Sequence, residues 1–149
     1  MSKPTPLLNR ASVAFGLLAL AMAAAVVVGM IVGGGATPTQ LADAGDIVRW
    51  GLPLAKGVTN LGTAIAIGSL AFAAYALSAK TPQLVGAMNL AAFGAGLWTI
   101  FGALGFLFTY LSVTGSAFST EDVFGQGLWL FATDIEYGRY LALNVLAGA

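Results

Sequence analysis

Residues 57–79 read GVTNLGTAIAIGSLAFAAYALSA, and residues 81–120 read TPQLVGAMNLAAFGAGLWTIFGALGFLFTYLSVTGSAFST. Neither stretch contains a charged side chain, and a third uncharged stretch covers residues 11–42. Each is longer than the roughly 20 residues that a helix needs to cross a hydrocarbon core of about 30 Å. The sequence therefore predicts an all-α integral membrane protein.

The predicted architecture is three transmembrane helices plus an incomplete or re-entrant fourth, in one helical membrane domain that covers residues 1–149. We place the complete spans at residues 12–32, 57–77 and 86–110, and the start of the fourth at residues 128–149. The last ten residues are apolar but too few to cross a bilayer. Either the chain ends in a half-inserted helix, or it is the N-terminal part of a longer protein.

The connections between the spans carry their own signals. Gly33–Gly35 should end the first helix, and Pro53 should break or bend the backbone before the second. Asp43 or Asp46 could cap a short helix in the first loop, with Asp46 facing Arg49 one turn later. Residues 114–127 should form a polar loop. The turn at residues 78–83 is so short that the second and third helices must form an antiparallel hairpin.

Small side chains at four-residue spacing mark the faces on which these helices could approach each other closely. On the second helix they are Gly62 with Ala66 and the offset pair Ala64 with Gly68; on the third they are Ala87, Ala91 and Ala95.

The composition argues against most kinds of catalytic and metal-binding site. Charged residues make up 8% of the chain, hydrophobic residues make up 58%, and the six basic and six acidic residues leave no net charge. No basic run predicts a nucleic-acid partner. Cysteine and histidine are both absent, which removes the thiolate ligands, the commonest metal ligand and the usual general base near neutral pH. We therefore predict no enzymatic activity, no catalytic residue, and neither a cofactor nor a metal site in this chain.

The orientation rests on the distribution of positive charge. A basic head, Lys3 and Arg10, precedes an apolar stretch that is too long for a cleaved secretory signal, so we favour a signal anchor. With a cytoplasmic N-terminus, three basic residues lie on each side of the membrane. The short turn that contains Lys80 has no acidic residue, and it favours this topology. Residues 37–56 and 114–139 are then external.

One polar stripe lies within the second span. Lys56, Asn60 and Thr63 follow the spacing i, i+4 and i+7, which places them on one face of a helix. We expect this face to contact another helix, either the small face of the third helix or the incomplete fourth helix, because polar groups are costly against lipid. For Lys56 alone, extension of the side chain to the membrane surface is an equally good explanation.

The six carboxylates could form an external acidic mouth that concentrates cations. Ordinary solvated loop charges and helix caps are the alternative explanation, and no pair has the spacing of a metal cage or of an acid–base dyad. The residues are Asp43, Asp46, Glu121, Asp122, Asp134 and Glu136. The thioethers of Met22 and Met30 are better explained by packing than by copper binding.

Three segments resemble the N-terminal part of bacterial CopD-family copper-resistance membrane proteins, above all the form fused to a CtaG-like cytochrome c oxidase assembly domain. They are LADAGDIVRWGLPLAKG at 41–57, YLSVTG at 110–115 and LWLFATDIEYGR at 128–139. The resemblance implies a multi-pass protein of the bacterial plasma membrane that moves or handles copper and could supply it for oxidase maturation. Members of that family are longer, so copper ligands would lie in helices outside this chain.

Two main functional hypotheses follow. The first is a membrane component of copper transport or handling, based on the resemblance. The second is a non-catalytic packing or assembly subunit of a respiratory membrane complex, based on the small helix faces and the missing ligands. An ion or small-molecule channel that uses the stripe of Lys56, Asn60 and Thr63 is a third alternative. The expected partners are the lipid bilayer and other transmembrane helices.

Overall fold

The computed structural model describes residues 6–38, 43–78 and 81–149. Within these residues the chain forms five α-helices and no β-strand, which confirms the all-helical fold. The chain divides into two units, one that ends at Thr37 and one that begins at Pro38. The first unit contains a single helix and the second contains the remaining four.

The first unit consists of α1, Pro6–Val32. The helix ends immediately before the predicted glycine stop at Gly33–Gly35. The apolar segment Gly16–Val32 of this helix lies within the first predicted span, residues 12–32. It is shorter than the two long apolar helices of the second unit. The N-terminal residues 1–5, including Lys3, lie outside the described residues.

The second unit is built on a hairpin of two long helices, α2 (Asp46–Ala76) and α3 (Pro82–Thr114). The predicted turn lies between them, although its residues 79 and 80 are outside the described residues. Pro82 begins α3 at the position where a missing N–H costs nothing, and Gly115 ends it with a left-handed backbone (φ 63°). Both helices are longer than the predicted spans.

The structure corrects two expectations for α2. The helix starts at Asp46 and not at residue 57, and Pro53 does not break it, because the helix continues to Ala76. Asp46 favours the earlier start, because its carboxylate lies near the positive end of the helix dipole and accepts a hydrogen bond from Arg49 (2.7 Å). Val48 and Ala55 are both buried, so packing on either side of Pro53 holds the segment helical despite the lost backbone hydrogen bond.

The two helices of the hairpin touch backbone to backbone where Gly62 meets Gly94. A Cβ atom built on Gly94 would lie 2.6 Å from the backbone nitrogen of Ala66 and 2.8 Å from the carbonyl oxygen of Gly62. The reverse contact is equally close, because a Cβ on Gly62 would lie 2.8 Å from the carbonyl oxygen of Gly94. Ala66 and Ala91 are buried beside this crossing, as the small-residue spacing predicts. The offset pair Ala64 and Gly68 is exposed.

The predicted fourth helix is in fact two short helices, α4 (Asp122–Thr133) and α5 (Glu136–Gly148). Part of the predicted polar loop therefore belongs to α4. Phe131 of α4 packs against Phe106 and Tyr110 of α3, with ring centroids 5.4 and 5.6 Å apart. The chain turns at Asp134 and Ile135, and α5 then packs along α3. Gly138 permits this close turn, since a Cβ atom there would overlap the carbonyl oxygen of Phe131.

The long helices are apolar but sparsely covered. Both α2 and α3 are long and apolar enough to cross a membrane by length and composition, yet only 17% of the most apolar 18-residue window of each is buried. Tyr75 is 93% exposed, and Ile67, Phe72 and Phe93 are each more than half exposed. A core helix of a water-soluble domain would instead be mostly buried.

The glycine crossing gives a direct test of the hairpin. We expect Gly94→Ala to destabilise the protein by about 1–3 kcal/mol, because the new methyl group would overlap backbone atoms of α2 that cannot move independently. Gly96→Ala is the matched control, since a Cβ there meets nothing within 4 Å. The control should be neutral or stabilise the helix by up to about 1 kcal/mol. Thermal or denaturant unfolding of detergent-solubilised protein measures both, and equal effects would contradict the crossing.

Candidate functional site

A cleft of about 340 Å³ opens between α2, α3 and α5. It contains one cationic side chain, two amides, two hydroxyls, two glycines and one leucine. The lining residues are Lys56, Thr59, Asn60, Gly102, Gly105, Tyr137, Leu141 and Asn144.

The α2 wall comes from the predicted polar stripe. Lys56 and Asn60 lie one turn apart and line the cleft together with Thr59. Thr59 donates its hydroxyl proton to the Ala55 carbonyl (2.8 Å), and Thr63 donates to the Thr59 carbonyl (2.9 Å). These two hydroxyl protons are used inside the helix. Lys56 and Asn60 are therefore the groups of α2 with donors left for a ligand.

The α3 wall supplies space. Gly102 and Gly105 carry no side chains, and they face the polar residues of α2. A Cβ atom on Gly102 would lie 3.9 Å from the Thr59 methyl group and 3.4 Å from Val145 of α5. A larger residue at position 102 would therefore extend toward both neighbouring helices.

The α5 wall comes from Tyr137, Leu141 and Asn144, which share one face of the helix at spacing i, i+4 and i+7. The Trp98 indole N–H donates a hydrogen bond to Asn144 Oδ1 (2.9 Å). Because an indole nitrogen can only donate, this bond identifies the amide oxygen of Asn144 and leaves its NH₂ group with donors for the cleft. The same bond ties α5 to the middle of α3.

The lining of the cleft carries one positive charge. Lys56 is the single charged residue in its lining, and no carboxylate faces it there. Within the described part of the chain, the Lys56 ammonium and the Asn60 amide have no hydrogen-bond or ion-pair partner. Donors from an ammonium and two amides suit an anionic or strongly hydrogen-bond-accepting group.

The outcome for the predicted stripe is mixed. Lys56 and Asn60 lie together in the cleft, where both residues stay exposed, whereas Thr63 is half-buried and is not among the lining residues. Of the two neighbours that we considered for Asn60, the cleft contains the predicted fourth helix, as Asn144 of α5, rather than the face of Ala87, Ala91 and Ala95.

The predicted acidic mouth has several separate local roles. Asp43 and Asp46 both pair with Arg49 at the start of α2. Glu121 and Asp122 lie at the start of α4, where negative charge complements the helix dipole. Asp134 and Glu136 flank the turn between α4 and α5, and Glu136 accepts a hydrogen bond from Tyr140 (3.3 Å). Attraction of cations by this end of the protein stays a prediction.

No group of three or more acidic residues is arranged to hold a metal ion in the described ranges.

Comparisons of the chain with protein-family models, with curated proteins and with solved structures find no match. The site must therefore be understood from its own geometry.

The sequence analysis did not identify Asn144, Tyr137 or Trp98 as site residues. Asn144 carried the clearest signal, because it is the one amide within the apolar stretch 140–149. Trp98 lies within the third predicted span, and its N–H was not considered as a donor. Asn144 and Tyr137, which both lie on α5, could not be placed opposite Lys56 without the turn between α4 and α5.

The bond between Trp98 and Asn144 can be measured by a double-mutant cycle. We expect Trp98→Phe and Asn144→Leu to be coupled by about 0.6 kcal/mol, and by no more than about 1.7 kcal/mol, as is usual for hydrogen bonds between membrane helices. The free energies of unfolding of both single variants and the double variant give the coupling. Strict additivity would show that the bond contributes nothing.

Proposed function

We propose that the protein is a multi-pass helical membrane protein, not an enzyme, and that the cleft between α2, α3 and α5 is its binding site for a polar or anionic group. One observation carries the proposal: Lys56 and Asn60 share a cleft between three helices and have no partner among the described residues. Unpaired polar groups beside apolar helix surface are costly, and in membrane proteins they often mark binding sites or transport pathways.

Membrane insertion is supported by the sparse burial of α2 and α3. The apolar part of α2 at residues 57–76 corresponds to about 30 Å at 1.5 Å per residue, which matches a hydrocarbon core. Lys56 precedes this part directly, so it lies at the membrane boundary. Asn60 lies about 6 Å deeper, one helical turn on. The cleft therefore connects the boundary to the apolar interior.

The topology that we propose is a bacterial plasma-membrane protein with a cytoplasmic N-terminus and the Lys56 end of the hairpin outside. Ser78 and Ser116 lie at opposite ends of the hairpin, about 50 Å apart along the 33 residues of α3.

Copper handling remains part of the proposal through the resemblance of residues 41–57, 110–115 and 128–139. The alternative role as a packing or assembly subunit of a respiratory complex is supported by the large exposed apolar surface of α2 and α3. In both cases the cleft would be the part of this chain that contacts a ligand.

Single cysteine substitutions test whether water reaches the cleft, because the chain has no cysteine of its own that could react. We expect Asn60→Cys to react with a small water-soluble thiosulfonate reagent in membranes, since the polar cleft admits water. Ile100→Cys is the depth-matched control, because the contact of Gly62 with Trp98 places residue 100 near the level of residue 60. Ile100 is 60% exposed, and its cysteine should be unreactive in lipid.

Equal failure of both cysteines to react would contradict a polar binding site at Asn60.

The same approach in whole cells reports the topology. A cysteine at Ser116 should react with an impermeant maleimide and a cysteine at Ser78 should not, and the reverse pattern would invert the proposed orientation.

We expect the purified chain to lose Cu(I) to a strong chelator. Its thioethers and carboxylates are few and scattered, and carboxylates prefer harder cations. Metal analysis after chelator treatment measures the retained copper. Stoichiometric retention would contradict this prediction, and Met22→Leu combined with Met30→Leu would then test the thioethers.

A further inference from the structure

We infer that the cleft and the apolar groove next to it together bind one membrane phospholipid with an anionic headgroup. This inference rests on the proposed function and names the ligand. The headgroup would lie at Lys56 and Asn60, and an acyl chain would follow the groove toward the middle of the bilayer. The inference depends on three features of the hairpin, namely a continuous face, a gradient of polarity and an unpaired positive charge.

The continuous face is formed by both long helices. On α2 the cleft residues Lys56 and Asn60 are followed at helical spacing by Ile67 and Leu70, which line a groove of about 260 Å³. On α3 the cleft residues Gly105 and Gly102 are followed in the same way by Trp98, Ala95, Ala91 and Met88. Trp98 lines the groove and bonds to Asn144 of the cleft, so it stands at the junction of the two.

The polarity changes along this face in one direction. The cleft offers an ammonium and two amides, whereas the groove is lined by aliphatic side chains, the Trp98 ring and two small residues at the end of α5. From Lys56, at the edge of the hydrocarbon core, to Ile67 in the groove, the face extends about 17 Å at 1.5 Å per residue. This length is close to half of a hydrocarbon core of about 30 Å, which is the part that one leaflet contributes. The headgroup of a lipid in that leaflet would therefore lie at the polar cleft, and its acyl chain would lie in the apolar groove.

The charge selects the headgroup. Because no carboxylate lines the cleft, Lys56 lacks a counter-ion there, and a phosphate with net negative charge would supply one. The position of Lys56 at the membrane boundary is where lipid phosphates lie. A zwitterionic lipid would bring an ammonium of its own, which Lys56 would repel.

The test uses the full chain purified from vesicles that contain equal amounts of phosphatidylglycerol and phosphatidylcholine with the same acyl chains. Native mass spectrometry gives the ratio of the two lipids that stay bound. We expect phosphatidylglycerol to be enriched, and Lys56→Gln to reduce the enrichment by about fivefold, which corresponds to about 1 kcal/mol. Arg139→Gln is the matched control, because it removes an exposed cation of α5 that lies outside the cleft lining.

A second pair of variants tests the acyl-chain groove. Ala92→Phe adds a ring at an exposed position in the groove and should lower the retention of both lipids. Ala103→Phe adds the same ring at an exposed position of α3 outside both linings, and should leave retention unchanged.

Equal retention of the two lipids by the wild-type chain would overturn the inference, and so would an equal effect of Lys56→Gln and Arg139→Gln. If Asn60→Cys is reactive but no lipid is enriched, the lipid is wrong and the polar site stands. If Asn60→Cys stays unreactive after lipid has been removed in detergent, the site itself fails. A disulfide-linked dimer of an Ala92→Cys variant with no bound lipid would show that a second copy occupies the groove.

Discussion

The backbone contact between Gly62 and Gly94 sets the distance and the register of the α2–α3 hairpin. Without a Cβ atom on either residue, the carbonyl oxygen of each helix lies against the other backbone, closer than any side chain would permit. In a bilayer, where lipid tails are as apolar as leucine, such close van der Waals contact is the main force that holds helices together. The register then places Ala55 opposite Gly105 and Gly51 opposite Phe108.

This register also creates the cleft. At the level where α2 presents Thr59 and Asn60, α3 presents Gly102 and Gly105, so the polar groups face space instead of side chains. The aromatic contacts of Phe131 bring α5 alongside α3, and the bond from Trp98 to Asn144 holds it there. The walls of one site thus depend on two different kinds of packing, close backbone contact at the hairpin and aromatic contact at its end.

The sequence predicts the local features well and the turns poorly. The hairpin, the buried small residues Gly62 and Ala66, and the end of α1 follow from composition and spacing, because each depends on residues close together in the chain. The helical path through Pro53 does not, since the cost of proline is outweighed by the burial of Val48 and Ala55 against α3. The placement of Asn144 depends on the turn after α4, where Phe131 packs against Phe106 and Tyr110, residues that are distant in the sequence.

The donors of the cleft suit the binding that we propose. An ammonium and two amides can hold an anionic group beside apolar surface. Such a site is most selective where water is scarce, because an ion pair is stronger in a medium of low dielectric constant. In the membrane placement that we propose, Lys56 can reach water at the boundary, and Asn60 lies one helical turn deeper, within the apolar part of α2. An anionic group bound to both would lie where the surroundings change from water to apolar helix surface.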